Sequence, residues 1–299
     1  MDTETQHASD LLAPDTGMGA VTLRVADLDR MVAYYRDGVG LSLFSNQAGT
    51  AVLGRPSATG VAVPIVVLEH APEMRHAAPH EAGLFHTAIV FDTRADLAAA
   101  LYSVATRYPQ TFTGSADHLV SNAFYFQDPE GNGVELYWDR DRTEWSWTHG
   151  MVDMDTKYVD PNAFLQSHLT QEALDTAAAR PGKVGHVHLS VGDVATARSF
   201  YVDTLGFETT AGFGEALFVS AGGYHHHMAM NTWNSRGAGR RQLALGLGLV
   251  RIEVPAADDL GALTERIRHG GVELADDGRT VAFDDPWANR IEVTTPGRA

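Results

Sequence analysis

One pattern constrains this chain more than any other: a strand-like alternation that runs directly into an amphipathic helix occurs four times. The segments are AVTLRVADLDRMVAYYRDGVG from Ala20, HTAIVFDTRADLAAALYSVATRY from His86, HVHLSVGDVATARSFYVDTLG from His186 and LVRIEVPAADDLGALTERIRHGG from Leu249. In each, apolar residues two apart give way to a helical period after an Asp or Thr suited to capping a helix. The first and third helices end in GVGL and TLGF, with glycine where a helix C-cap favours it. Three short strands punctuated by glycine or Asp-Pro turns follow each helix, such as FETTAG, EALFVS and HHHMAMNTW in the third unit. The unit therefore reads β-α-β-β-β, four times over. One such unit cannot bury both faces of its sheet, so the units are expected to pair into curved half-barrels of α+β class.

At 299 residues the chain is long enough for two domains of about 130 residues each. The expected division is a tail over 1–16, a first domain over 17–140 from units one and two, and a second over 184–299 from units three and four. The stretch 141–183, with Trp145, Trp147 and Pro161, interrupts the repeat and is expected to link or brace the halves. A net charge of −16 argues against nucleic acid or an anionic membrane surface as partner. There is no cysteine, so any metal must sit on His, Asp or Glu. The polar start has no signal-peptide pattern, and no apolar run approaches the roughly 20 residues of a membrane helix, which points to the cytoplasm. His7, His70, His76, His80 and His149 fall in termini or loops and carry no spacing signal.

Residues two apart share a strand face, which sorts the side chains within each unit. Val187, Leu189 and Val191 form an apolar set, leaving His186, His188 and Ser190 on the concave side. Ile89 and Phe91 leave His86 and Ala88 inside. Val134, Leu136 and Trp138 leave Glu135, Tyr137 and Asp139 inside. Carrying the same alternation back from Met228 and Met230 turns His225 and His227 toward the cavity and His226 away from it. Three inner faces thus hold imidazole or carboxylate, a poor apolar core and a good metal site. Units one and four have Ala20 and Leu249 where the others have His86 and His186, so Glu69 and Glu292 lack histidine partners and read as scaffold residues.

The stretch DHLVSNAFYFQDPEGNGVELYWDR resembles the signature of extradiol ring-cleavage dioxygenases: His118, then Phe124-Tyr125, Asp128-Pro129, Gly131 and Glu135. Together with the repeat, it makes the chain similar to the vicinal oxygen chelate superfamily, which also includes glyoxalase I and the fosfomycin and bleomycin resistance proteins. The likeness extends from Gly17 to Thr295. It implies a metal held by His86 and Glu135, with His118 and Tyr125 around the substrate. The third ligand it implies is His186, in a Gly-His opening like the family's, with His188 two residues along as the alternative. This requires units two and three to meet; if units one and two pair instead, Glu69 takes that place. The resemblance further implies Fe(II), with Mn(II) as an alternative, a catechol-type substrate and O2, and a proton-handling role for His118 or His227. Two rival expectations are a glyoxalase I-type isomerase and a metal-free drug-binding resistance protein; His118 and Tyr125 favour ring cleavage. Exposed sheet edges make a homodimer the expected assembly.

Overall fold

In the computed structural model, which describes residues 11–296, the four units fold as four strand–helix–three-strand modules. His7 and the first ten residues of the expected tail lie outside the described residues. Unit one comprises β1 (Val21–Val25), α1 (Leu28–Ala33), β2 (Ser42–Gln47), β3 (Thr50–Pro56) and β4 (Ala62–His70). Unit two comprises β5 (Gly83–Phe91), α2 (Arg94–Arg107), β6 (Phe112–Asp117), β7 (Ser121–Gln127) and β8 (Gly133–Asp139). After a connector with helices α3 (Pro161–His168) and α4 (Gln171–Thr176) comes unit three: β9 (Gly182–Ser190), α5 (Val194–Arg198), β10 (Glu208–Gly212), β11 (Ala216–Ser220) and β12 (Met228–Asn231). Unit four comprises β13 (Gly246–Glu253), α6 (Ala257–His269), β14 (Leu274–Asp276), β15 (Thr280–Asp284) and β16 (Arg290–Thr294).

Three helices start on the capping residues their sequences offer. Asp27, Thr93 and Asp193 accept from the amides of Arg30, Asp96 and Thr196. The fourth differs: its N-cap is Ala256, which has no side-chain acceptor, and Asp259 instead reaches back to the Ala256 amide at 3.1 Å. Helices α1 and α5 each widen into a π turn, Tyr34–Gly38 and Ser199–Thr204. Gly40 and Gly206 then reverse the chain at φ of 81° and 89°, a conformation that favours glycine.

The strands of the four units form two sheets, and both run across the halves of the chain. One has the order β10-β11-β12-β9-β5-β8-β7-β6, so units three and two share it through an antiparallel β9–β5 pair. The other runs β14-β15-β16-β13-β1-β4-β3-β2 and joins units four and one. Units adjacent in sequence are tied instead from the helical segment of one to the Asp-Pro turn of the next. Tyr35 donates to Asp128 and Tyr201 donates to Asp285, each at 3.0 Å. The Glu130 carboxylate accepts from the Ala26 and Asp27 amides at the start of α1, at 2.9 and 2.8 Å. The main apolar core fills the space between helices and sheets, with Ile89, Phe91, Leu136, Val187, Leu189 and Met230 all buried in it.

The connector braces as well as links. Phe164 of α3 packs on Phe124 with ring centroids 4.9 Å apart, and the backbones of Asp117 and Lys157 exchange hydrogen bonds of 2.7 and 3.0 Å. Among the described residues no helix is long and apolar enough to cross a membrane.

Candidate metal centre

The β9–β5 seam brings together side chains from two copies of the unit. In its register Ala88 stands opposite His186 on one side, and on the other, across the parallel β5–β8 pair, opposite Glu135. Being only a methyl, Ala88 leaves the space above the sheet to its neighbours. His86 Nε2 lies 2.9 Å and His186 Nε2 3.1 Å from the same oxygen, Glu135 Oε2. His86, Glu135 and His186 are buried, with one potential ligand atom of each inside a 4.8 Å group, and they are the one such group among the described residues.

This cluster is costly as a self-contained structure. Burial works against the Glu135 charge, yet the His186 and His86 rings prevail and hold its carboxyl well below the usual range. Burial pushes His186 down to about 4 despite the opposing pull of Glu135, so that ring is neutral at ordinary pH. The hydrogen bonding is also incomplete. His86 Nε2, for all its closeness to Glu135, is misaligned and has no hydrogen-bond partner among the described residues, and neither has the buried His186 Nδ1. Orphaned buried polar atoms are rare in native folds and ask for an explanation. For His86 Nε2 a divalent cation supplies one. Ligand atoms at right angles around an ion with bonds of about 2.1 Å stand about 3 Å apart, the separation both imidazoles keep from Glu135. The donor set therefore fits a metal.

The cluster opens into a cavity of about 1050 Å³. His118 and Tyr125 share its wall. His118 Nδ1 donates to the Asp155 carbonyl at 2.8 Å, because a carbonyl can only accept. In the neutral ring Nε2 is then the acceptor, and Tyr125 donates to it at 2.7 Å. Burial, reinforced by the Glu135 charge, raises the Tyr125 phenol well above its ordinary pKa. Tyr125 is thus a fixed hydrogen-bond donor beside the cluster. Phe85, Phe218 and Trp233 supply aromatic wall. His188 also lines the cavity, but its Nε2 is engaged by the Asn231 amide at 3.0 Å, and the ligand group contains His186 rather than His188.

The histidine run departs from expectation. His226 lines the cavity and its ring lies 4.0 Å from that of His186, while His227 is not part of the lining. Instead His227 Nδ1 accepts from the Ala221 amide at 3.3 Å and meets the Ser220 hydroxyl at 3.0 Å. The reason is local. β12 begins only at Met228, so Tyr224 to His227 form an irregular bend to which a two-residue alternation does not apply. His225 sits behind His226, with the two Nδ1 atoms 2.8 Å apart, and its Nε2 reaches Asp139 at 2.8 Å. Tyr224 donates to the same carboxylate at 2.7 Å and meets the Tyr137 hydroxyl at 2.7 Å. Inward-pointing Tyr137 and Asp139 therefore serve this buried network.

In the second sheet Glu69 pairs with Arg24 at 3.8 Å and Glu292 with Arg251 at 2.7 Å. Glu69 is thus on the sheet opposite to that of His86, and the pairing that would have made it a ligand does not occur. Among the cavity residues, His226 could have been suspected from the run itself; Arg241, on the loop before β13, had no motif to mark it.

Fold and cluster together define a class: proteins of repeated βαβββ units whose paired sheets enclose a His/Glu site. Residues 17–136 and 183–293 match the model of the Glyoxalase/Bleomycin resistance protein/Dioxygenase superfamily, and the chain belongs to that superfamily. It is 32% identical over 276 residues to a protein named catechol-2,3-dioxygenase from Bacillus subtilis (strain 168), covering 91% of this chain and 94% of the relative. Among solved structures, a candidate dioxygenase from Bacillus subtilis subsp. subtilis str. 168 superimposes with a TM-score of 0.62 at 15% identity, covering 94% of this chain and 86% of that one. Glyoxalase I from Zea mays gives 0.54 at 16% identity, covering 94% and 92%. At such identities these structures establish the fold alone.

Proposed function

We propose that this chain is an extradiol ring-cleavage dioxygenase, in which a catechol-type ring and O2 react at a divalent ion held by His86, Glu135 and His186. Iron(II) is the proposed ion, and manganese(II) is the alternative that the same donors accept. Two histidines and one carboxylate are the donor set of non-haem iron oxygenases. The observation that supports the reading most is the buried meeting of that set, from two units, in the cavity that also holds the His118–Tyr125 pair. The 32% identical relative named catechol-2,3-dioxygenase supports it independently. When bound, the ion would supply Lewis acidity toward the two diol oxygens and a path for electrons between ring and oxygen.

The chain's own residues do the rest. Tyr125, held protonated and donating to His118, can accept from a substrate hydroxyl through its oxygen. His118, with its tautomer set by the Asp155 carbonyl, receives a proton through Tyr125 and sits at the half-buried edge where it can exchange with water. His226 presents a neutral imidazole next to His186; burial first and the surrounding histidines second lower its pKa well below the ordinary value. His226, and not His227, lines the cavity and takes the proton-handling place. Phe85, Phe218 and Trp233 orient a flat ring and exclude water from it.

Anaerobic purification, metal analysis and oxygen uptake with a panel of catechols test the reading. One iron or manganese per chain and stoichiometric O2 consumption with a yellow ring-opened product are expected. A metal-loaded protein that consumes no oxygen with any catechol, but isomerises a glutathione hemithioacetal, would replace it with a glyoxalase-type function.

A further inference from the structure

The cavity has two ends of different chemistry. At one end stand the metal cluster and the His118–Tyr125 pair. At the other stands Arg241, whose guanidinium lies over Gly83, so close that a Cβ there would meet its Cζ at 3.7 Å. Gly83 precedes His86 by three residues on β5, which puts the two ends roughly 10 Å apart along the strand. Leu84, Phe85 and Trp233 line the wall, the last two with centroids 5.3 Å apart.

Arg241 is poorly matched by the protein around it. Its Nη1 donates to the neutral Asn289 amide oxygen at 3.2 Å, and among the described residues the guanidinium forms no ion pair. The nearby carboxylates are already engaged. Glu81 is gripped by both Nη atoms of Arg75 at 2.9 and 3.0 Å. Glu130 caps α1. Asp285 accepts from Tyr201, the Asn289 side chain and the Trp287 and Asn289 amides. Burial first and the Arg24 charge second lower the pKa of Arg241, against the weaker pull of Asp285 and Glu81. A part-buried guanidinium whose hydrogen bond goes to a neutral acceptor gains by an anion coming to it, and its planar fork matches a carboxylate in two places.

We propose that the substrate is two-ended, with a ring diol at the metal cluster and a carboxylate on a short side chain at Arg241. The diol end rests on the ring-cleavage reading; the carboxylate end does not. The test is calorimetric binding to the metal-loaded protein under argon. The probes are the 2,3- and 3,4-dihydroxyphenyl isomers of phenylpropanoate, each compared with its uncharged primary amide. At least one acid is expected to bind about tenfold or more tightly than its amide, the usual scale for hydrogen bonds to a charged group. That ratio should collapse to about one in Arg241→Met and survive in part in Arg241→Lys, with melting temperature and metal content followed in both. Equal binding of acid and amide by the unaltered protein, no binding of either, or a preference that persists in Arg241→Met would overturn the proposal. Oxygen uptake measured in parallel separates the two readings. A carboxylate preference without oxygen consumption removes ring cleavage and leaves Arg241 as an anion site, whereas oxygen consumption without the preference does the reverse.

Discussion

His226 and His227 are neighbours of identical type with opposite surroundings, and they separate a chemical role from a structural one. His226 opens onto the cavity beside His186, whereas His227 is tied to Ser220 and Ala221. His226→Gln is expected to lower kcat on the order of a hundredfold or more, the usual contribution of a positioned acid or base, with little change in melting temperature. His227→Gln is expected to do the opposite, lowering stability while the kcat of the folded fraction holds. Steady-state oxygen uptake alongside thermal melts distinguishes them, and equal kcat losses in both variants would contradict the assignment. Ala88 matters for what it lacks. Ala88→Leu would fill the space between His186 and Glu135 and is expected to weaken metal binding by at least about a hundredfold, as loss of the site's geometry exceeds loss of an outer partner; a metal titration reads this directly.

At the scale of elements, β9 shows how a strand can be shaped for a site. A Cβ on Gly185 would stand 1.7 Å from the Tyr137 hydroxyl and 2.7 Å from its Cζ. Tyr137 cannot easily yield, since it is held by Tyr224 and packs against His186 with centroids 4.9 Å apart. Gly185→Ala is therefore expected to cost about 1–3 kcal/mol, the range for overpacked cores, and to weaken metal binding through His186. Denaturant midpoints and a metal titration check it; an unchanged midpoint would show that Tyr137 has room to move. The same strands explain what could be read without coordinates. From His86 to Phe91 in β5, along β8 and from His186 to His188 in β9 the alternation is regular, which puts His86, Glu135, His186 and His188 on the inner face, while bulges at Phe85 and Gly185 interrupt it on either side. It failed at Tyr224 to His227, where the backbone is not extended strand, and at the start of α6, where the cap comes from Asp259 rather than the residue before the helix.

For the whole molecule, the decisive event is which units share a sheet. Four similar units can pair in several ways, and no local pattern distinguishes them. The distinction comes from long-range fit: Tyr35 to Asp128 and Tyr201 to Asp285 join the helical segment of one unit to the Asp-Pro turn of the next, and the sheets pair as two with three and one with four. That choice gathers neutral, buried imidazoles at one seam. Burial lowers His186 to about 4 and His227 to about 3, and it takes His188 and His226 well below the ordinary value. In the unfolded chain these rings titrate near 6.5, so between that pH and their folded values the unfolded state binds more protons. Their contribution to stability is complete above about pH 6.5 and is lost as the pH falls. Each ring can add up to about 1.4 kcal/mol per pH unit. The denaturation midpoint of the metal-free chain should accordingly hold above about pH 6.5 and fall steeply from there toward about pH 4, and a flat profile over that range would mean these rings are not buried neutral.

Titration of the metal-free chain with Mn(II), followed by electron paramagnetic resonance, tests the cross-unit centre most directly. One site per chain is predicted, lost in His186→Ala and retained in Glu69→Ala. Binding that survives in His186→Ala, or that disappears in Glu69→Ala, would contradict a centre built where units two and three meet.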